Sequence, residues 1–81
     1  MWDVYIIQSI LKGRLYIGYS QNAYFRLEQY HNQGLCKSTK AYFPYKIVRI
    51  EKYNSKTDAL KREKELKRMK GSTAFKTLLS W

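Results

Sequence analysis

One carboxylate in this chain stands where a helix should be apolar. Across residues 56–70, at about 100° per residue with Ala59 at zero, Leu66 falls near −20°, Met69 near −80° and Leu60 near +100°. Glu63 lies at roughly +40°, inside that arc, while Lys61, Lys64 and Arg68 point away. A carboxylate directed at the protein is costly unless it is paired or binds a cation. Lys67 at i+4 or a buried arginine would satisfy the first condition. A single Mg²⁺ would satisfy the second, and one inward carboxylate disfavours a two-metal site. The N-terminal residues add phenols. If residues 2–7 and 14–19 pair antiparallel with facing numbers summing to an odd value, Tyr5, Tyr16 and Gly18 share a face. Ile6, Leu15 and Ile17 then share the other. A strand glycine often marks close approach of a ligand or another backbone, although tyrosine is also simply a good strand residue. Arg26, with Tyr30 one turn later, could pair bidentately with a phosphate or serve as a surface charge. His31 beside it could act in a site or sit as a cation at a helix C-terminus.

These side chains need a scaffold, and 81 residues with 44% hydrophobic content allow one small core. We expect one domain over residues 1–81. The β-branched and aromatic runs 2–7 and 14–19, joined through Leu11-Lys12-Gly13, predict a hairpin. Ser20 and Asn22 are candidate N-caps for a helix through about Asn32, stopped by Gly34. Residues 45–51 after Pro44 predict a third strand. Ser55-Lys56-Thr57-Asp58 resembles a capping box and opens a helix to about Lys70, with Gly71 at C′. Phe75, Leu78 and Leu79 predict a short last helix, with Trp81 packing at its end. The order β-β-α-β-α-α is an α+β fold: a small three-stranded antiparallel sheet flanked by helices.

Sixteen Lys and Arg against six Asp and Glu give a net charge of +10, which points to a polyanion, nucleic acid before membrane. The single cysteine, Cys36, excludes an internal disulfide and a cysteine-based zinc site, and nothing marks it as activated. No apolar run suits a membrane span or a signal h-region, so the expected location is cytoplasmic.

The ordered set resembles the GIY-YIG nuclease superfamily. Val4-Tyr5-Ile6 stands at its first motif, and Tyr16-Ile17-Gly18 is a literal YIG eleven residues after Tyr5. Arg26 follows ten residues after Tyr16 at the helix arginine, then His31-Asn32, then Ala59-Leu60-Lys61-Arg62-Glu63 at the helix ending in a metal-binding glutamate. The match spans about residues 3–70 and looks like the small stand-alone bacterial members related to the N-terminal nuclease domain of the excision-repair C subunit. The resemblance implies DNA phosphodiester hydrolysis, structure-directed or non-specific, in repair or recombination. Glu63 would bind one Mg²⁺ or Mn²⁺, Tyr5 would act as general base or water-positioning group assisted by Tyr16 and His31, and Arg26 would stabilise phosphate charge. Two positions depart from the family pattern. Asp3 occupies the place near which the GIY glycine often sits, and Phe75 stands near where many members carry an asparagine.

Arg14, two residues before Tyr16, matches a basic position near the phosphate in some members. Lys37, Lys40, Lys46, Lys61, Lys64 and Lys67 would neutralise DNA backbone without reading sequence, or serve solubility. The chain is expected to act as a monomer or weak homodimer, with any recognition supplied by DNA structure or by a partner protein. A catalytically degenerate nucleic-acid-binding module and a protein-interaction domain facing an acidic partner are the competing readings.

Overall fold

The computed structural model describes residues 1–35 and 41–79. Strand β1 (Trp2–Ser9) lies at the centre of a three-stranded antiparallel sheet of order β2-β1-β3, with β2 (Leu15–Ser20) and β3 (Tyr45–Tyr53) as edges. Tyr5 faces Gly18 and Ile6 faces Ile17, the odd-sum register expected from the alternation. On one face Val4, Ile6 and Ile17 pack against Ala59 and Leu66 of α2 (Lys56–Met69) and Phe75 of α3 (Thr73–Leu79). The opposite face is a core as well. Tyr5, Ile7, Ala23 and Tyr45 form a second buried cluster, with Tyr16 and Leu27 against it. The sheet is therefore covered on both sides.

That second cover differs from the helix expected over residues 23–32. Only Ala23–Arg26 is α-helical (α1), and Leu27–His31 is a π-helical turn that closes with Asn32 N–H donating to Leu27 O at 2.8 Å. A π turn holds one residue more than an α turn, so the side chains after it face elsewhere than an α wheel predicts. Here His31 ends fully buried. The segment is fastened at both ends by side chains. Asp3, 4% exposed, accepts from Ala23 N–H at 2.9 Å and from Lys52 Nζ at 3.0 Å. Asn22 caps Phe25 N–H at 3.0 Å. Asn32 clamps β3 by accepting from Tyr45 N–H at 2.6 Å and donating to Tyr45 O at 3.1 Å.

The capping signals near α2 hold. Ser55 Oγ accepts from Asp58 N–H at 3.2 Å, and Gly71 follows the helix with φ +89°, a conformation that favours glycine. Trp81 lies outside the described residues.

Strand β3 and α2 are joined by an ion network that the sequence did not announce. Glu51 accepts from Arg49 Nε at 2.7 Å, Arg62 Nε at 2.7 Å, Arg62 Nη2 at 3.1 Å and the Tyr53 hydroxyl at 2.8 Å. Arg62 also pairs with Glu65. Burial alone would raise the Glu51 carboxyl, but the hydrogen bonds from Arg62, Arg49 and Tyr53 outweigh it and hold the pKa down to about 2 from 4.5. The depressed value adds stability in full above pH about 4.5 that is lost as pH falls through about 2. At about 1.4 kcal/mol per unit, ionisation of Glu51 contributes at most about 3 kcal/mol at neutral pH, less the part that solvent screens. Glu51→Gln should lower stability by that order at pH 7 in urea melts, and the gap to wild type should close on approach to pH 2. An unchanged gap across that range would detach the charge of Glu51 from the effect.

Candidate active site

A groove of about 680 Å³ is lined by residues of β1, β2, the α1–π segment and α2. Tyr5, Tyr16, Gly18, Arg26, Tyr30 and Glu63 all line it. Residues scattered from position 5 to position 63 are thus brought together by five elements: β1, β2, α1, the π turn and α2.

Gly18 leaves no room for a side chain. A methyl group there would stand 2.6 Å from Tyr5 Oη, 2.8 Å from Tyr5 Cζ and 3.1 Å from Tyr16 Cε1. The close approach suggested by a strand glycine is therefore made by the protein's own phenols, which slide over the bare backbone of β2.

Behind Tyr5 sits His31. The two are hydrogen-bonded, Tyr5 Oη to His31 Nε2, at 2.7 Å. The imidazole is also packed by the rings of Tyr16 and Tyr30, with centroids 5.0 Å and 5.3 Å away. Burial foremost, then the nearby Arg26 charge, push the His31 pKa from 6.5 to about 4. At neutral pH the ring is uncharged, and we assign Nε2 as the acceptor of the Tyr5 O–H. The cationic reading of His31 at a helix end is therefore corrected: a π turn carries it inside, where a proton is unwelcome.

Because His31 is the only histidine, its titration can be read directly by NMR. The midpoint should fall near 4, and Arg26→Gln should raise it only partway towards 6.5, since burial is the larger cause. A depressed histidine adds stability that is complete above pH about 6.5 and declines as pH falls towards 4. A midpoint at or above 6.5 would contradict the buried, neutral ring.

Arg26 stacks on Tyr30, its guanidinium carbon 3.9 Å from the ring centroid. Stacking uses the flat face of the guanidinium and leaves the in-plane N–H fork aimed along its edge. Glu63 lines the groove with its side chain 12% exposed, and Lys67 Nζ lies 3.6 Å from Oε1. Both readings of Glu63 thus have a structural counterpart: the carboxylate faces the groove and also has the i+4 lysine as counter-ion.

Among the described residues no group of three or more His, Cys, Asp or Glu could hold a metal. A cation in the groove would take one carboxylate from the protein and complete its shell with water and substrate oxygens. Mg²⁺ tolerates this arrangement, because it keeps several waters and commonly uses one or two carboxylates. The donor set fits such an ion.

The other basic residues are dispersed. Arg14 does not line the groove; it donates to the Tyr42 hydroxyl at 3.3 Å and lies 4.7 Å above that ring. Lys61 borders a separate surface with Glu51, Arg62 and Glu65. Lys46 and Lys64 are exposed, and Lys37, Lys40 and Cys36 lie outside the described residues. Phe75 is 1% exposed in the core, so that position offers the groove no polar group.

Sequence reasoning missed Trp2, Tyr19, Phe25 and Lys56, which also line the groove. The available signal was their position next to motif residues: Tyr19 follows Gly18 and Phe25 precedes Arg26.

The chain is 43% identical over 65 residues to the UPF0213 proteins of Staphylococcus aureus strains Mu3, Mu50 and N315, which covers 79% of this chain and 77% of each relative. No solved structure matches it significantly. None of the described helices is long and apolar enough to cross a membrane. The GIY-YIG catalytic domain matches residues 1–77, and with the sheet, the YIG strand and the helix bearing Glu63 in place, the chain belongs to the GIY-YIG nuclease family.

Proposed function

We propose that this protein is a divalent-metal-dependent endonuclease that hydrolyses DNA phosphodiester bonds, with the groove beside β2 as its active site. The observation that carries this reading is the 2.7 Å Tyr5–His31 hydrogen bond behind a groove also walled by Glu63 and Arg26. It is a proton path, a carboxylate and a phosphate-binding fork in one place.

Arg26 holds the scissile phosphate through its N–H fork and meets the negative charge that builds on the non-bridging oxygens. Glu63 would hold one Mg²⁺ or Mn²⁺, and the bound ion would supply charge to polarise the phosphate and acidify a water. Tyr5 takes a proton from the attacking water as its own proton moves to His31 Nε2. A phenol with a reference pKa of about 10 is a poor base by itself, and the relay avoids a free phenolate. The water oxygen bonds to phosphorus and the bond to the leaving sugar oxygen breaks, its electron pair staying on that oxygen. Burial makes His31 a reluctant resting place for a proton, so the proton passes back through Tyr5 and, by way of solvent, to the leaving sugar oxygen, which resets the pair. Tyr16 orders the same wall of the groove.

The exposed lysines and arginines add sequence-independent backbone contacts, so binding weakens with salt. One groove per chain cuts one strand at a time. Repair or recombination would supply substrates of this kind. Conversion of supercoiled plasmid to nicked circles with Mg²⁺ or Mn²⁺, stopped by EDTA, tests the reading. A catalytically silent binding module is the second reading, favoured by the buried Phe75 near the place of the family's asparagine. Salt-dependent DNA binding without metal-dependent nicking would establish it instead.

A further inference from the structure

The end of the groove away from the Tyr5–His31 pair has a different chemistry. Trp2 and Tyr19 are half-buried with ring centroids 6.0 Å apart and planes at 43°, and Phe25 is 64% exposed. Lys56 Nζ stands 5.7 Å from the Trp2 ring centroid. Isolated exposed aromatics are ordinary. Three that share one groove with Arg26 and Glu63 in a protein of charge +10 are not isolated.

The helix fixes the distance of Lys56 from the reaction. Lys56 begins α2 near Trp2 and the end of β2, while Lys70, beyond the other end of α2, donates to Leu15 O at the start of β2 at 2.8 Å. Helix and edge strand therefore run antiparallel, with Glu63 between. Seven residues at about 1.5 Å each put Glu63 roughly 10 Å along the axis from Lys56. That length is about three base steps at 3.4 Å per nucleotide of one strand.

We propose that Trp2, Tyr19 and Phe25, which line one groove, form a stacking subsite for an unpaired nucleobase next to the phosphate held at Arg26 and Glu63, with Lys56, roughly 10 Å along α2 from Glu63, on a neighbouring phosphate. Within a duplex both faces of a base are covered by its neighbours, so only an unpaired or extruded base can use such a surface. The subsite makes the protein select DNA with single-stranded character close to the scissile bond. The word scissile rests on the nuclease reading; the binding preference does not.

The test uses the full chain carrying Trp81→Phe, which leaves Trp2 as the only tryptophan. In EDTA the protein is titrated with a short oligothymidylate and with a blunt two-stranded linear duplex of equal phosphate count. The single strand should quench Trp2 emission and bind at least about fivefold more tightly than the duplex. Phe25→Ala, a change at an exposed site, should weaken single-strand binding by roughly 5- to 100-fold, from one lost base stack, and leave duplex binding within about twofold. Phe25→Tyr should restore the preference. Equal affinity for both ligands, or equal weakening of both by Phe25→Ala, overturns the subsite. Plasmid nicking run beside it separates the two claims: nicking without a single-strand preference removes the subsite alone, and a preference without nicking removes the nuclease alone.

Discussion

Gly18→Ala should cost this protein its cleavage activity by more than about 100-fold, although the side chain gained is one methyl group. The added carbon would stand 2.6 Å from Tyr5 Oη and 2.8 Å from Tyr5 Cζ, inside van der Waals contact. The Tyr5 ring cannot simply retreat, because it is 2% exposed and packed among Ile7, Ala23 and Tyr45. Either the hydroxyl leaves His31 or the Tyr5–Gly18 pairing of β1 with β2 opens. Overpacking of this kind typically destabilises by about 1–3 kcal/mol. A tenfold rate loss corresponds to about 1.4 kcal/mol, so even a modest displacement of the phenol is visible in cleavage. Rates measured with a thermal melt of the same sample separate the two effects. Wild-type cleavage by a folded Gly18→Ala protein would show that the Tyr5 position is irrelevant to the chemistry.

Tyr5→Phe addresses the same pair without steric change. It removes the oxygen bonded to His31 and keeps the ring in its core position. Cleavage should fall by about 10²- to 10⁴-fold, the range usual for loss of a general acid–base group. DNA affinity in EDTA should stay within about twofold, because the phosphate contacts lie with Arg26 and the surface cations. Stability should change by only about 1 kcal/mol for the lost hydrogen bond. A large drop in affinity with an unchanged cleavage step would make Tyr5 a binding group instead.

Much of this site could be read from residue phase alone. The odd-sum register put Tyr5, Tyr16 and Gly18 on one face, and the helical wheel turned Glu63 inward; both follow from local periodicity, which the chain cannot alter without losing its core. For His31 the sequence left a site role and a terminal cation both open, because its burial depends on a π turn, and a single added residue in a turn leaves no composition signature. Arg14 was expected near the phosphate from the family resemblance; it does not line the groove, and its contact with Tyr42, far away in sequence, could not be read from local periodicity. Likewise, the Glu51–Arg62 network and the Asp3 contact to Ala23 join residues whose proximity is created only by the sheet order. The helix and strand periods report which way a side chain faces, not which distant partner it meets.

The most direct measurement compares wild type with Glu63→Ala on supercoiled plasmid in Mg²⁺ or Mn²⁺, with an EDTA control. Among the described residues Glu63 is the one acid that lines the groove, and its counter-ion Lys67 is itself half exposed, so the variant should fold and still bind DNA. Nicking by the wild type, lost in EDTA and reduced at least about 10³-fold in Glu63→Ala, is the result expected of a metal held at that carboxylate. Equal nicking by both proteins, or nicking that survives EDTA, would contradict a metal-dependent site at Glu63.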